Sequence, residues 1–285
     1  MIGGADRAAK EAGLRRFSRL RADDLLSSGL AVAALSLLAG FISLPLLSLV
    51  VWMVSSASWR AMASPVAVEA LILSAKTTGA TMVVVLVLGT PAAYALARFE
   101  FPGKRILETL IDIPAVLPPS AAGIALLLAF GRFGLLGQYL QAFGVTLTFT
   151  TAAVVLAQVF VASHFYVRQA AVGFGRVDRV VEEAAQVDGA GRRMVFFKVT
   201  VPLAFPALMA GAVTAWARAL GEFGGTLIVA GNLQGVTQTM PLAIYSALEN
   251  DFDAAVALSV MVLGFAFAVI LTARYLTRKA AELAG

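Results

Sequence analysis

Apolar residues gather into six long stretches, at about 30–54, 70–97, 106–130, 149–174, 203–231 and 253–276. Each is long enough for a helix to cross a hydrocarbon core about 30 Å thick, which takes about 20 residues. In lipid every backbone N–H and C=O must find its partner within the element, so runs of this length fold as helices. The fold class follows: all-α, a polytopic membrane protein with six transmembrane helices. Charge content agrees, because only 14% of the residues are charged, whereas a soluble domain carries about 25%.

The N-terminal region does not read as a secretory signal. Arg7, Lys10, Arg15, Arg16, Arg19 and Arg21 precede an apolar run of 25 positions, against roughly 7–15 for a signal core. The expected organisation is a basic tail at 1–29, a first transmembrane helix at 30–54 and a helical core at 66–280. Orientation follows from where Lys and Arg fall. The tail, the loop at 98–105, the loop at 168–198 and the C-terminal tail together hold 18 of the 22. Both termini are therefore expected on the cytoplasmic side, which requires an even number of crossings.

The net charge of +5 does not imply nucleic acid, since the basic residues sit between apolar runs and no nucleic-acid-binding motif is present. Absence of cysteine excludes disulfides, iron–sulfur clusters and thiol catalysis. A single histidine leaves the common zinc constellations out of reach. No catalytic residue and no metal site is expected.

Two spans are impure. The third contains Glu108, Asp112, Pro114, Pro118 and Pro119, and the proline pair is expected to break it, freeing backbone groups that must line a cavity or a protein contact. The fifth contains Arg218 and Glu222, four apart and able to pair on one helix face. Ionisable groups in a span cost about 2.5–3.5 kcal/mol each on insertion scales and default to functional suspicion. Gly221 and Gly225 beside them form a small-xxx-small face. Lys76, inside span two, can snorkel outward, and His164 reads as a hydrogen-bonded packing residue. Glu249, Asp251 and Asp253 make the outer loop at 232–252 negative, as a solvated face or a protein contact. Between spans three and four, a short re-entrant or surface helix is expected at about 135–143.

The loop at 168–202 is organised. Gly175 frees the chain from span four, and Asp178 suits the N-cap of a short helix. Val180, Val181, Ala184, Ala185 and Val187 form an apolar face at helical spacing. Gly189 and Gly191 end that helix. An amphipathic stretch at 192–201 then leads to Pro202, suited to the first turn of span five. Ala184 and Ala185 let another backbone approach closely, and Glu182 and Glu183 offer charged contacts at the rim. The helix either docks on a partner or rests on lipid headgroups, which its acidic residues make less natural on an anionic leaflet.

Glu183-Ala184-Ala185, three residues, Gly189, nine residues, then Val199-Thr200-Val201-Pro202 resembles the EAA loop of ATP-binding-cassette importer permeases. The family pattern is EAA, x3, G, x9, I-x-L-P, with Val199 and Val201 here in place of Ile and Leu. Segments 100–131, 216–232 and 237–249 resemble the molybdate-type permeases, with sulfate permeases sharing much of this and tungstate permeases somewhat less. The resemblance covers about 66–280. It implies a MetI-like permease core whose loop at 175–202 carries a coupling helix, with Glu182, Glu183, Ala184, Ala185 and Gly189 coupling to the ATPase. It further implies a homodimer in the inner membrane of a prokaryote, two ABC ATPase subunits and an extracytoplasmic oxyanion-binding protein.

The chain has no G-x-x-x-x-G-K-[ST] phosphate loop; Gly103-Lys104 is followed by Arg105 and lacks the upstream glycine. ATP and Mg are therefore expected on the partner ATPase, with no cofactor on this chain. The substrates implied are tetrahedral divalent oxyanions, molybdate first. Ser120, Thr226 and Asn232 can offer neutral donors to such an anion or hydrogen-bond between helices, and a fixed cation in their place would trap it. Arg218 and Glu222 serve either as a clamp between two copies or as part of a gate. An ion-coupled secondary transporter would favour inverted repeats with broken helices at matching positions, and only one span carries such an interruption. A non-transporting scaffold gives no reason for the in-span ion pair.

Overall fold

The computed structural model describes residues 3–284, with side chains described from 29 to 279. The chain divides into two units at Ser55 and Ser56. The first is helix α1 (Gly3–Ser55), which includes the apolar run at 30–54. The six basic side chains of the tail lie outside the described residues.

The second unit is a bundle. Helix α2 (Pro65–Arg98) starts where the Ser64 hydroxyl accepts from Ala67 N–H, with Pro65 in the first turn. Two other elements of the bundle are α3 (Lys104–Val116) and α4 (Pro119–Phe130), followed by the short α5 (Gly137–Ala142). Helix α6 (Thr151–Arg176) is capped by Thr150 in the same manner as α2. Helices α2 and α6 lie side by side and parallel. Gln158 bonds Thr77 and Thr81, Thr90 Oγ1 lies 2.6 Å from Tyr166 Oη, and Arg98 donates to the Val177 carbonyl. These pairs advance together along both helices, so the chain between them must return over the full height of the bundle.

It returns through α3 and α4, which meet at an angle of 120°. Leu117 and Pro118 are extended, with ψ of 131° and 139°, because a residue before proline is steered out of the helical region. Asp112 pairs with Arg168, and Leu126 clusters with Ala153, Val154 and Ala157. The bent pair thus leads the chain back along α6, split at the expected prolines, and by length and apolar composition the two pieces together qualify as one broken span. Helix α5 falls within the expected 135–143.

After α7 (Arg179–Val187), one rod runs from α8 (Arg192–Val195) through a π-helical turn at Phe196–Thr200 into α9 (Val201–Leu220). This corrects two expectations. The stretch at 192–201 is not separate from span five but is its first part, Arg192–Leu220. The span also ends at Leu220 rather than near 231. Glu222 turns inward to cap a second helix, α10 (Gly224–Ala230), an event that apolar periodicity does not display. Gly221 and Gly225 consequently lie on different elements and form no common helix face.

Helix α9 packs antiparallel to α6 through small residues: a methyl group at Gly173 would stand 2.5 Å from Ala207 Cβ, and one at Gly211 would stand 3.0 Å from Gln169 Cβ. Such close approach supplies the van der Waals packing that holds membrane helices together where no hydrophobic effect drives them. The loop at 232–252 holds a helix the sequence reading missed, α11 (Met240–Asn250), whose Met240 and Ala243 pack with Ala67, Ala70 and Leu258. Helix α12 (Phe252–Ala284) completes the bundle, with Phe265 against Trp216 at 5.7 Å between ring centroids. Among the described residues, and counting the bent pair as one span, six segments are long and apolar enough to cross a membrane.

Candidate functional site

The α7 loop is built from its caps inward. Val177 leaves α6 in an extended conformation, and Asp178 accepts from Val180 N–H at 2.9 Å, fixing the start of α7. The helix ends at Gly189, whose φ of +93° is a left-handed conformation that only glycine adopts without strain. Ala190 N–H reaches back to the Ala185 carbonyl and Gly189 N–H to that of Gln186, satisfying carbonyls that the helix end leaves open.

The side chains of α7 are arranged inside out. Val180 is 67% exposed and Val187 87%, and Val181, Glu183 and Ala184 are open as well. Ala185 is half-buried and Gly189 exposed. Glu182, expected at the rim beside Glu183, is instead 9% exposed and points into the protein. Its Oε1 accepts from Arg98 Nη2 at 2.9 Å and from Thr200 Oγ1 at 2.5 Å, and Arg98 Nη2 also donates to the Val177 carbonyl at 3.0 Å. Beneath this network Tyr94, Phe174 and Phe196 pack edge to face, at 5.5 Å for Tyr94–Phe174 and 5.0 Å for Tyr94–Phe196. Sequence reasoning missed Arg98, Thr200 and this aromatic wedge.

A second constellation lies where α9 gives way to α10. Arg218 Nη1 is 2.7 Å from Glu222 Oε2 in the same chain, and Glu222 Oε1 accepts from Gly225 N–H at 2.9 Å. Helix α10 runs beside α4 at close range: a methyl at Gly224 would stand 2.8 Å from Pro119 Cβ, and one at Gly123 would stand 2.8 Å from Ile228 Cβ. Ser120 is exposed at the start of α4, while Thr226 is buried with no partner for its hydroxyl. Ser120, Glu222 and Thr226 thus share the corner formed by the starts of α4 and α10. Asn232 does not join them. It follows the far end of α10 and donates to Ser246 Oγ at 2.7 Å.

A third cluster braces α3 against α6. Asp112 takes the Nε and Nη2 of Arg168, with Nε at 2.6 Å, and His164 Nδ1 lies at 3.1 Å from it without hydrogen-bond alignment. Arg168, read from the sequence as a loop residue, belongs to α6. Lys76 is exposed on α2.

The family described as binding-protein-dependent transport system inner membrane component matches residues 85–282. The molybdenum transport system permease protein ModB of Mycobacterium bovis is 44% identical over 231 residues, 81% of this chain and 88% of that one. The probable sulfate transport system permease protein cysT of Chlorokybus atmophyticus is 33% identical over 206 residues, 72% of each chain. Among solved structures, a chain of a bacterial ABC transporter involved in the import of the acidic polysaccharide alginate superposes with a TM-score of 0.70. That likeness, at 15% identity, covers 93% of this chain and 99% of the other, and it is one of fold.

Proposed function

The chain belongs to the family of binding-protein-dependent transport system inner membrane components, as a multi-pass ABC importer permease with the MetI-like fold, and from that premise we propose that its cargo is molybdate. Supporting this, a molybdenum permease is more similar to it than the sulfate permease, at 44% against 33% identity. Sulfate, of the same charge and shape, is the alternative.

In this reading the permease works as a homodimer with two ATPase subunits, which bind ATP and Mg and carry out the hydrolysis, and it receives its anion from an extracytoplasmic binding protein. Both termini face the cytoplasm. Residues 1–29 form the basic tail, 30–54 an added first helix, and 66–280 the permease core. The observation that carries the coupling role is the inverted α7 helix: its valines open, its inner carboxylate buried, on the loop that bears the Glu183-Ala184-Ala185 pattern. Exposed apolar side chains grouped in this way mark a protein or membrane contact, and the Glu183-Ala184-Ala185 pattern on the same helix favours the protein. Glu183, Ala184, Ala185 and Gly189 belong to that seat. Ser120 edges the path, Arg218 with Glu222 shapes its corner, and Thr226 lies buried behind it.

The test uses the assembled importer in proteoliposomes. Val187→Asp changes a side chain that touches little of its own chain, so folding is preserved, and it should strip the ATPase subunits from the purified complex and abolish ATP-driven molybdate uptake. Full retention of the ATPase by Val187→Asp, alone and together with Val180→Asp, would refute the seat. Preferential uptake of sulfate over molybdate would move the cargo to the alternative.

A further inference from the structure

A helix seated on a moving partner transmits force only if it is tied to what must move. The covalent ends of α7 are poor ties: the chain leaves α6 through the extended Val177 and re-enters the membrane rod through Gly189 at φ +93° and Gly191. Glycine at such a joint permits rotation, so α7 would swing rather than pull.

The buried Glu182 carboxylate supplies the missing tie. A single oxygen, Oε1, holds Arg98 at the end of α2 and Thr200 in the rod that becomes α9. Arg98 extends the connection to the end of α6 through the Val177 carbonyl. Charge-assisted hydrogen bonds are short and about twice as strong as neutral ones, and a low local dielectric stiffens them further. The attachment on the rod is its least regular turn. Phe196–Thr200 is π-helical, and Pro202 has no N–H to offer the Lys198 carbonyl. Single π turns inside helices are frequent at functional sites. Arg98 Nε is buried without an acceptor, so the network keeps one donor for a second arrangement.

We propose that Arg98, Glu182 and Thr200 form a transmission joint, in which Glu182 is a positioning residue that passes displacement of α7 to α2 and α9 together. The joint rests on the reading that α7 is seated on the ATPase, and its test separates the two. In the complete importer, reconstituted with its binding protein and molybdate, two quantities are measured for each variant: the ATPase subunits retained, and the molybdate moved per ATP hydrolysed. Glu182→Gln should keep the ATPase subunits at wild-type stoichiometry and lower the transport ratio about tenfold, the factor matching one lost charge-assisted bond. Thr200→Val keeps volume and the Arg98–Glu182 pair, and should lower the ratio about threefold or more, as befits one hydroxyl bond. Thr200→Ser restores the hydroxyl and should restore the ratio.

Wild-type ratios in both Glu182→Gln and Thr200→Val would overturn the joint. So would loss of the ATPase subunits in Glu182→Gln, which would place Glu182 in the seat itself, or a Thr200→Ser ratio as low as that of Thr200→Val. If the Glu182→Gln permease itself does not fold, the Thr200 pair decides alone. Failure of the seat is read elsewhere, in ATPase retention by Val187→Asp.

Discussion

Arg218 and Glu222 are equal partners by charge but not by burial, and the difference predicts unequal mutants. The Glu222 side chain is 0% exposed and that of Arg218 is 29% exposed. Arg218→Gln leaves a carboxylate sealed in the protein with only the Gly225 N–H to hold it. Removing one member of a buried pair costs about 3–5 kcal/mol, and the remaining N–H and the positive end of α10 place this case near 3. Glu222→Gln is milder. Its amide oxygen still accepts from Gly225, and the stranded guanidinium, being partly open, reaches other polar groups. What is lost is a charge whose Oε2 faces Arg218 without hydrogen-bond alignment, so the cost falls at about 1.5–2 kcal/mol, the low end for a charged bond. At about 2–4 °C per kcal/mol for a domain of this size, Arg218→Gln should lower the thermal midpoint of the importer in lipid nanodiscs by about 6–12 °C. Glu222→Gln should lower it by about 3–8 °C. The double variant, with no charge left to strand, should fall less than the sum of the two. A Glu222→Gln midpoint below that of Arg218→Gln, or strict additivity in the double variant, would refute the reasoning.

Three further outcomes follow from local geometry. Gly173→Ala places a methyl 2.5 Å from Ala207 Cβ, and overpacking of about 1–3 kcal/mol outweighs a helix-propensity gain of about 1 kcal/mol. Its thermal midpoint should drop, whereas Gly79→Ala, with nothing within 4 Å, should hold or raise it; equal midpoints would contradict the packing described for α6 and α9. Gly189→Ala forces a side chain onto φ +93°, a strain of about 1–2 kcal/mol, and should weaken ATPase retention while leaving the thermal midpoint of the isolated permease within about 8 °C of wild type. Tyr245 donates a hydrogen bond to Glu249, whose negative charge also disfavours the phenolate, so its pKa lies above the ordinary tyrosine value. In Glu249→Gln one tyrosine should therefore ionise at lower pH than in wild type, read as phenolate absorbance during an alkaline titration.

How much of this was legible in sequence depended on the range of the interaction. The six apolar runs, the proline break at 118–119, the Asp178 cap and the Gly189 stop are local, and the chain spells them within a few residues. Spacing alone also carried the loop pattern from Glu183 to Pro202. The partner of Glu182 was not legible, because Arg98 lies 84 residues away and becomes its neighbour only through the parallel packing of α2 on α6. Periodicity did hold a clue. Val180, Val181, Ala184 and Val187 share one face of α7, and Glu182 stands off it, so an outward valine face implies an inward glutamate. Span five ends sooner than its apolar run for a different reason. Residues 221–223 interrupt the helix with a capping carboxylate in a segment that stays apolar on both sides, and hydropathy averages across such a break. Helix α11 escaped notice because its apolar residues are too few to look like a span and too close to the turn before them to look like anything else.

The corner at Glu222 bears on how a dianion passes a helical barrier at all. Helices α4 and α10 start side by side there, and each start carries unpaired N–H groups and a partial positive charge. With Arg218 added, an uncapped corner would hold positive charge on three counts in a medium of low dielectric, where attraction for a doubly charged anion is far stronger than in water. Conduction needs binding weak enough to release. Glu222 meets two of the three at once, with one oxygen on the N–H of α10 and the other beside Arg218. On the proposed reading the anion then meets a corner close to neutral, edged by the exposed Ser120 hydroxyl, and is neither repelled nor held. The same logic explains why the carboxylate sits deeper than its cation. A buried negative charge held by the Gly225 N–H and facing Arg218 stays in place as an anion passes, whereas an arginine left unpaired at that position would bind one and keep it.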